Sequence, residues 1–352
     1  MSASTTTAAA PAAKQRGLAS IRARLTGRSY LAIPALGYLC LALPMAALTK
    51  PWTNNDEPSH VAYIQYLLAH HAFPPLNVDN GVEAHQPPLY YLLGAVWQRI
   101  AGVHAFAVPE VFVSEGRADP QRYGAASHEA DWTVYWLRGL SVGLGLAVVI
   151  AATVAAALIF ERRRTFVVAG GLTVALWPKF LVVATSVTND VLVDALCAWF
   201  FVGVVVLMRR GRPAGRRDWI VAGGTGVVGG LAVLSKFTAI PLVVLGVLIL
   251  GAGIAADRRS WPNFLVVSGA ATSTCSWWLI RNAHRYGDPL ATHATEHYLK
   301  DVFHGALVRH VSFFSDPQRF VHLRWPALRR SLLYDGGWNQ LAVPHWVDTL
   351  FW

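Results

Sequence analysis

The sequence predicts an all-α polytopic membrane protein with about seven transmembrane helices. Three observations carry this expectation. First, hydrophobic residues make up 54% of the 352-residue chain and charged residues only 14%, with mean hydropathy +0.38. A soluble domain carries about a quarter charged residues, so this chain lacks the polar surface to close a globule in water. Second, the apolar residues come in long uninterrupted blocks, which excludes disorder, collagen and coiled coil. Third, the basic residues alternate along the chain in the way that membrane topology requires.

A helix needs about 20 apolar residues to cross the hydrocarbon core. Blocks of this kind lie at 30–49, 136–160, 166–184, 191–208, 219–234, 237–256 and 264–280. Only Ser235-Lys236 separates the fifth from the sixth. Lys14, Arg16, Arg22, Arg24 and Arg28 precede the first block. Arg162, Arg163 and Arg164 follow the second. Arg209, Arg210, Arg212, Arg216 and Arg217 follow the fourth, and Arg258 and Arg259 the sixth. Every second connection is basic, so these sit on the cytoplasmic side and the others face out. The formal charge of +10 is thereby explained by topology and anionic headgroups, without nucleic acid. The first block reads as an uncleaved anchor rather than a signal peptide, because its charged leader is long and its apolar core about twice the usual length.

The organisation that follows is a basic cytoplasmic tail (1–29) and a first helix (30–50). An outside loop comes next (51–132), then six further helices (133–283) and an outside, helical C-terminal segment (284–352). The outside loop holds two amphipathic stretches. In 58–73, Val61, Ile64, Leu67 and Leu68 share a helical face. In 88–100, a proline pair precedes Leu89, Leu92, Leu93, Val96 and Ile100, and proline suits a first helical turn. Both are expected to lie flat at the membrane surface. The stretch 102–131 is polar, with a turn signal at Asp119-Pro120. Trp52, Trp132, Trp136, Trp177, Trp219, Trp261, Trp277 and Trp278 fall at span ends and read as interface anchors. Cys40, Cys197 and Cys275 lie inside apolar blocks and read as packing residues. The chain ends on the apolar stub Leu350-Phe351-Trp352, which either rests on the membrane or is followed by further spans.

Ionisable residues in a bilayer cost about 2.5–3.5 kcal/mol each at mid-helix. Here they collect at the outer span ends: Asp56 and Glu57 after the first, Lys179 late in the third, Asn189 and Asp190 in the turn to the fourth. Lys236 lies between the fifth and sixth, and Arg281 and Asn282 end the seventh, ahead of His284, Arg285 and Asp288. His60 and His85 belong to the first outside loop. Each has an ordinary reading alone. Asp56-Glu57 and Asp190 suit helix caps, Lys236 and Arg281 suit snorkelling, and His85 suits a solvated loop. Independent caps and snorkels would spread over both membrane faces, however, and these do not. A carboxylate pair beside a bilayer serves as general base for an acceptor hydroxyl. Basic residues nearby hold a phosphate and stabilise it as it leaves. On the outer face a lipid-linked phosphate is the donor within reach.

These residues also form an ordered set of motifs. Asn55-Asp56-Glu57-Pro58-Ser59-His60, with Tyr63 and Phe73-Pro74, resembles the first luminal loop of GT-C-fold glycosyltransferases. The likeness is to the protein mannosyltransferase and aminoarabinose transferase group and to related bacterial membrane proteins. His85-Gln86-Pro87-Pro88-Leu89-Tyr90-Tyr91 resembles their Pro-Pro-Leu motif. Ser186-Val187-Thr188-Asn189-Asp190 is similar to their Asn-Asp turn. Trp278-Leu279-Ile280-Arg281-Asn282, with Tyr286-Gly287-Asp288-Pro289, is similar to their segment leaving the seventh span. The resemblance spans 30–288. It implies a GT-C-type helical fold in the plasma (inner) membrane of the cell envelope. It further implies an inverting transfer from a polyprenyl-phosphate sugar to a glycan, lipid or protein acceptor on the extracytoplasmic face. It assigns Asp56 as base and Glu57 as its neighbour, orienting the acceptor or helping to hold a metal. It points to His85 as a phosphate contact, with Lys236 and Arg281 as further phosphate candidates. His60, Asn189 and Asp190 complete the expected substrate-binding set. Members of the family carry more spans after the second outside segment; this sequence lacks them, which fits a truncated or a minimal version, or one whose missing helices a partner subunit supplies.

Asp56, Glu57 and Asp190 are candidates to share a divalent cation such as Mg2+ or Mn2+ through oxygen ligands. His70 and His71 are adjacent, so they point to different helix faces and do not chelate together. Gly224-Thr225-Gly226-Val227-Val228-Gly229 fits a dinucleotide-binding pattern, but it sits inside a span with no preceding strand. Gly226 and Gly230 read instead as small residues for close helix packing. Arg324, Arg329 and Arg330 lie outside, where long domains tolerate such charges or use them on lipid phosphates or an anionic glycan. Two rival functions stand beside the enzyme. A lipid-linked-glycan transporter would need polar groups along a path at mid-membrane, and the spans are apolar in their middles. A non-catalytic assembly subunit is the other.

Overall fold

The computed structural model describes residues 29–302 except 55, 77–81, 109–112, 115–116, 119–126, 162, 212 and 214, together with 318, 321 and 322. The basic tail, Asn55, Asp119-Pro120, Arg162, Arg212, Arg324, Arg329, Arg330 and the stub 350–352 lie outside the described residues. The rest is helical. A two-residue antiparallel pair, Val113–Ser114 with Arg117–Ala118, supplies the strand content among the described residues.

The helices are α1 (Ala32–Leu48), α2 (Glu57–His70), α3 (Leu89–Ile100), α4 (His128–Phe160), α5 (Arg164–Ala175), α6 (Pro178–Ala184), α7 (Asp190–Arg210), α8 (Arg216–Ser235), α9 (Ala239–Ala256), α10 (Trp261–Tyr286) and α11 (Thr292–Val302). Helix α4 packs on α1, α5 and α7, while α8 packs on α7 and α10. One core, around Tyr38, Ile64, Leu137 and Val191, joins α1, α2, α4 and α7. A second, around Phe200, Val243, Val267 and Trp278, joins α7 to α10.

Local chemistry sets the helix ends. Ser127 caps α4, its hydroxyl accepting from the Ala130 N–H at 3.1 Å, so the helix begins before its apolar block, on a polar first turn. The single span expected over 166–184 is broken: α5 and α6 meet at 60°. Pro178 is the cause. It has no N–H and disfavours helical backbone in the residue before it, and Trp177 is accordingly extended (φ −71°, ψ 118°). The fifth and sixth blocks are separate helices, divided by extended backbone at Lys236 (φ −158°, ψ 137°).

Among the described residues, length and composition alone support three or four of the seven expected spans. Helices α4, α7 and α8 are long and apolar enough to cross a membrane, and the bent pair α5–α6 makes a fourth. Helices α1 and α9 are apolar but shorter. Helix α10 has 26 residues but a more polar composition. These long apolar helices are those of an integral membrane protein.

Two further expectations are corrected. Helix α2 does not rest its apolar face on the membrane surface, because Val61, Ile64, Leu67 and Leu68 are buried inside the protein. Helix α3 does turn apolar residues outward, with Leu92, Leu93, Val96 and Ile100 exposed. Trp52 and Trp278 are buried rather than anchored at an interface. The Trp52 indole N–H donates to Asp131 Oδ1 at 2.6 Å, and its backbone is left-handed at φ 68°, a strained conformation for a bulky residue.

The glycines of α8 do the packing expected of them. A Cβ on Gly226 would lie 2.5 Å from the Val267 carbonyl oxygen, and one on Gly230 would lie 2.5 Å from that of Ala271. Backbone atoms of α10 cannot give way locally, so α8 and α10 would separate. Gly226→Val is therefore expected to cost about 1–3 kcal/mol, read as a lower thermal midpoint of the purified protein.

Candidate active site

The site is built on one buried ion pair. Arg138 of α4 and Glu57 of α2 are both fully buried, with Arg138 Nη2 2.8 Å from Glu57 Oε2 and Nε donating to Oε1 at 2.9 Å. Neither charge is buried alone; each is held by a complete set of partners. The remaining guanidinium protons go to the Ala46, Thr49 and Lys50 carbonyls at 3.2, 2.5 and 2.9 Å, which closes the C-terminal end of α1 with a cation. The Glu57 carboxylate also accepts from the Trp52 N–H at 3.0 Å and the Val187 N–H at 3.1 Å. One pair thus ties together the end of α1, the loop to α2, helix α4 and the turn before α7. Glu57 is turned into the protein, and its oxygens are already filled. It is not placed to orient an acceptor or to hold a metal.

Asp56 sits on this anchor. It occupies the cap position of α2 with left-handed backbone (φ 54°, ψ 0°), yet its side chain makes no capping bond. A non-glycine residue in this region carries strain that its surroundings must sustain. The capping explanation therefore fails, and the carboxylate is left for another task. Burial raises the Asp56 carboxyl above the ordinary range; Lys236 pulls it down and Asp190 pushes it further up.

Lys236 and Asp190 come from the α8–α9 turn and the first residue of α7, and form an ion pair at 2.5 Å, Lys236 Nζ to Asp190 Oδ1. Burial alone would lower the Lys236 ammonium. The Asp190 charge and hydrogen bond, with Glu83 and Asp56 behind them, more than offset that and raise it. Lys236 therefore faces carboxyls instead of snorkelling to an interface. Asn189 locks this corner: its Nδ2 donates to Gln86 Oε1 at 3.3 Å and to the Ser235 carbonyl at 3.2 Å, and the Ser235 hydroxyl donates to the Asn189 carbonyl at 3.3 Å. Asn189 is itself buried. It holds the Pro-Pro loop, the start of α7 and the end of α8 in register.

The two histidines differ. His60 is buried, its Nδ1 3.0 Å from Tyr91 Oη, with its ring stacked on Tyr91. Burial, helped by Lys236 nearby, pushes His60 down to about 3, so the ring is neutral at pH 7. It sits behind the site rather than in it. His85 is half-buried, Nε2 3.0 Å from the Gln86 side-chain nitrogen. Arg281 stands apart from Lys236. Its guanidinium lies 4.2 Å from the Trp278 ring centroid and 5.5 Å from that of Phe73, a cation on aromatic faces. Tyr63 bridges the two places: it lies within electrostatic reach of Arg281, and its hydroxyl is 3.5 Å from the Gln86 carbonyl.

Two residues of the site escaped the sequence reading. Arg138 is a single arginine inside an apolar block, on the side where no basic loop lies; that isolation was the available signal. Glu83 stands two residues before His85. It is only 7% exposed, and burial, with Asp56 adding to the effect, pushes its carboxyl up to about 8.

The candidate cation site does not assemble. Among the described residues no group of three His, Cys, Asp or Glu side chains is placed to hold a metal ion. Glu57 is committed to Arg138 and Asp190 to Lys236. An apolar groove of about 570 Å³ lies between the C-terminal parts of α2 and α3, lined by Leu67, Phe73, Leu92, Val96, Arg99 and Ile100 among others.

At the other end of the bundle the basic connections meet. Arg209 pairs with Glu161 at 3.4 Å, and Arg210 with Asp218 at 2.8 Å. The Asn263 amide donates to the Gly211 carbonyl at 2.8 Å, and Arg164 lies over the Tyr30 ring at 5.4 Å. The carboxylate cluster and the arginines thus occupy opposite ends.

No protein-family model and no curated protein matches the sequence. Among solved structures the chain is similar to the S. cerevisiae protein O-mannosyltransferase Pmt1–Pmt2 complex bound to the sugar donor, with a TM-score of 0.48 and 15% identity. The match covers 77% of this chain and 34% of that one, so this chain spans about a third of that protein's length. A likeness of this degree assigns no residue a role.

Proposed function

We propose that this protein is an integral membrane glycosyltransferase that moves a sugar from a polyprenyl-phosphate donor to an acceptor on the extracytoplasmic face. The observation that carries the reading is an uncapped, strained Asp56 carboxylate beside Lys236, at the end of the bundle away from the arginine connections. Asp56 removes the proton from the acceptor hydroxyl. The acceptor oxygen bonds to the sugar's anomeric carbon as the carbon–oxygen bond to phosphate breaks, with inversion. The polyprenyl phosphate leaves with the bonding electrons, and Lys236 stabilises its charge. Asn189 and Gln86 position the loop that faces the phosphate, and His85 and Arg281 flank it. Glu57 and Arg138 act through Asp56 as positioning residues.

The arrangement in the membrane follows from the same reading. Helices α1, α4, α5–α6, α7, α8, α9 and α10 each make a pass, with arginine ends in the cytoplasm. Helices α1 and α9, with 17 and 18 residues, lie at the short end of the lengths that cross a bilayer. The exposed apolar side of α3 faces lipid.

The decisive experiment incubates purified protein with a polyprenyl-phosphate sugar and measures release of polyprenyl phosphate. Turnover by the protein alone supports the proposal; turnover only with a second subunit would identify an assembly partner instead. Lys236→Ala is expected to raise the KM for the donor about 10- to 100-fold, a charge-assisted phosphate contact being worth about 1.5–3 kcal/mol. Lys236→Arg should restore part of it. An unchanged KM would remove Lys236 from the donor site.

A further inference from the structure

The carboxyl that the proposed reaction does not use is Glu83. It lies in the short turn Val82–His85, nearly closed off from solvent at 7% exposure. Groups from every neighbouring element face this region. Asp56 reaches it from the loop before α2, Asp190 from the start of α7, and Lys236 from the turn after α8. Tyr91 faces it from α3 and Tyr298 from α11. His60 and Tyr63 of α2 stand behind Tyr91. On its own turn lies His85, and the Gln86 side chain hydrogen-bonds the Glu83 carboxyl.

Charge balance then decides its state. Four carboxyls, Asp56, Glu83, Asp190 and Asp194 of α7, share the field of Lys236. Lys236 is already paired with Asp190 at 2.5 Å. Ionising all four would surround the ammonium with negative charge at the place where an anionic donor has to bind. The most buried carboxyl bears the largest desolvation cost, and that carboxyl is Glu83.

Resting on the reading above, we infer that Glu83 is a positioning residue that carries a proton when the donor enters, so that Lys236 remains available to the lipid phosphate. The Gln86 hydrogen bond favours the ionised carboxyl but is outweighed by burial; through Asn189 it connects Glu83 to the start of α7. Ionisation of Glu83 adds a further negative charge in reach of Lys236 and repels the phosphate. The direction follows from the raised carboxyl: below about pH 8 Glu83 is protonated and the site accepts an anion; above it the site loses affinity.

The test needs no turnover. Binding of a polyprenyl phosphate to the detergent-purified full chain is measured between pH 6.5 and 9, for wild type, Glu83→Gln and Glu83→Asp. Infrared difference spectra are recorded on the same samples. Wild-type Kd is expected to rise about five- to tenfold from pH 7 to 9, while Glu83→Gln stays flat. A protonated-carboxyl band present at pH 7 should disappear by pH 9 and be missing from Glu83→Gln; Glu83→Asp should shift it. Without that band in wild type at pH 7, or with the same pH dependence in Glu83→Gln, or with no binding at any pH, the inference is overturned. Should Glu83→Gln fail to fold, the wild-type band with its shift in Glu83→Asp decides. Glu83-dependent binding without any sugar transfer would leave this inference standing and sink the transferase reading.

Discussion

Asp56→Asn should lower the rate of sugar transfer at least about 100-fold, while the protein still inserts in the membrane and melts like wild type. General-base catalysis contributes about 10²–10⁴-fold, and an amide of the same shape cannot accept the acceptor's proton. The fold should not notice the change, because the Asp56 side chain makes no capping bond and asparagine tolerates left-handed backbone as readily as aspartate. The pH profile adds an independent check. Burial raises the Asp56 carboxyl, and the base must be ionised to act. Activity is therefore expected to fall on the acid side at a higher pH than for an exposed aspartate. Lys236→Ala, which removes the charge that pulls Asp56 down, should move that limb higher still. A retained transfer rate in Asp56→Asn would take Asp56 out of the mechanism.

Arg138→Met should do the opposite and damage the fold first. Removing one member of a buried pair leaves an uncompensated charge, at a cost of about 3–5 kcal/mol. Here the orphan would be Glu57, fully buried. The Ala46, Thr49 and Lys50 carbonyls would lose their donor as well. Thermal unfolding in detergent should show a large drop in midpoint. The double variant Glu57→Gln with Arg138→Met leaves no stranded charge and should recover much of the stability. It should not recover activity, because the loop that holds Asp56 has lost its anchor. Equal stability of Arg138→Met and wild type would mean that the pair does not organise this end of the bundle.

The helices were legible because each signal was local. Apolar blocks and the Ser235-Lys236 break both act within a few residues. Where a tertiary contact competes, the reading fell short. Pro178 breaks a span that its apolar composition predicts as one rod. Helix α2 has a periodic apolar face, yet periodicity cannot say whether that face meets lipid or protein; here it meets Trp52, Tyr90 and Leu137. Trp52 looked like any interface tryptophan until its indole was found bonded to Asp131.

The site divides along the same line. Composition and periodicity alone determined that this is a helical membrane chain. The spacing of its charges placed Asp56, Asn189, Asp190 and Lys236 at common helix ends. These are properties of short segments and of bulk polarity, and no long-range contact is needed to read them. Only the tertiary structure decided which charge faces which. It turned Glu57 inward to Arg138, 81 residues away, and left its neighbour Asp56 uncapped. It also paired Asp190 with Lys236 and shut His60 behind Tyr91. Adjacent residues of identical charge became an anchor and a candidate base because burial and partner geometry, which depend on residues far along the chain, set the role of an ionisable group.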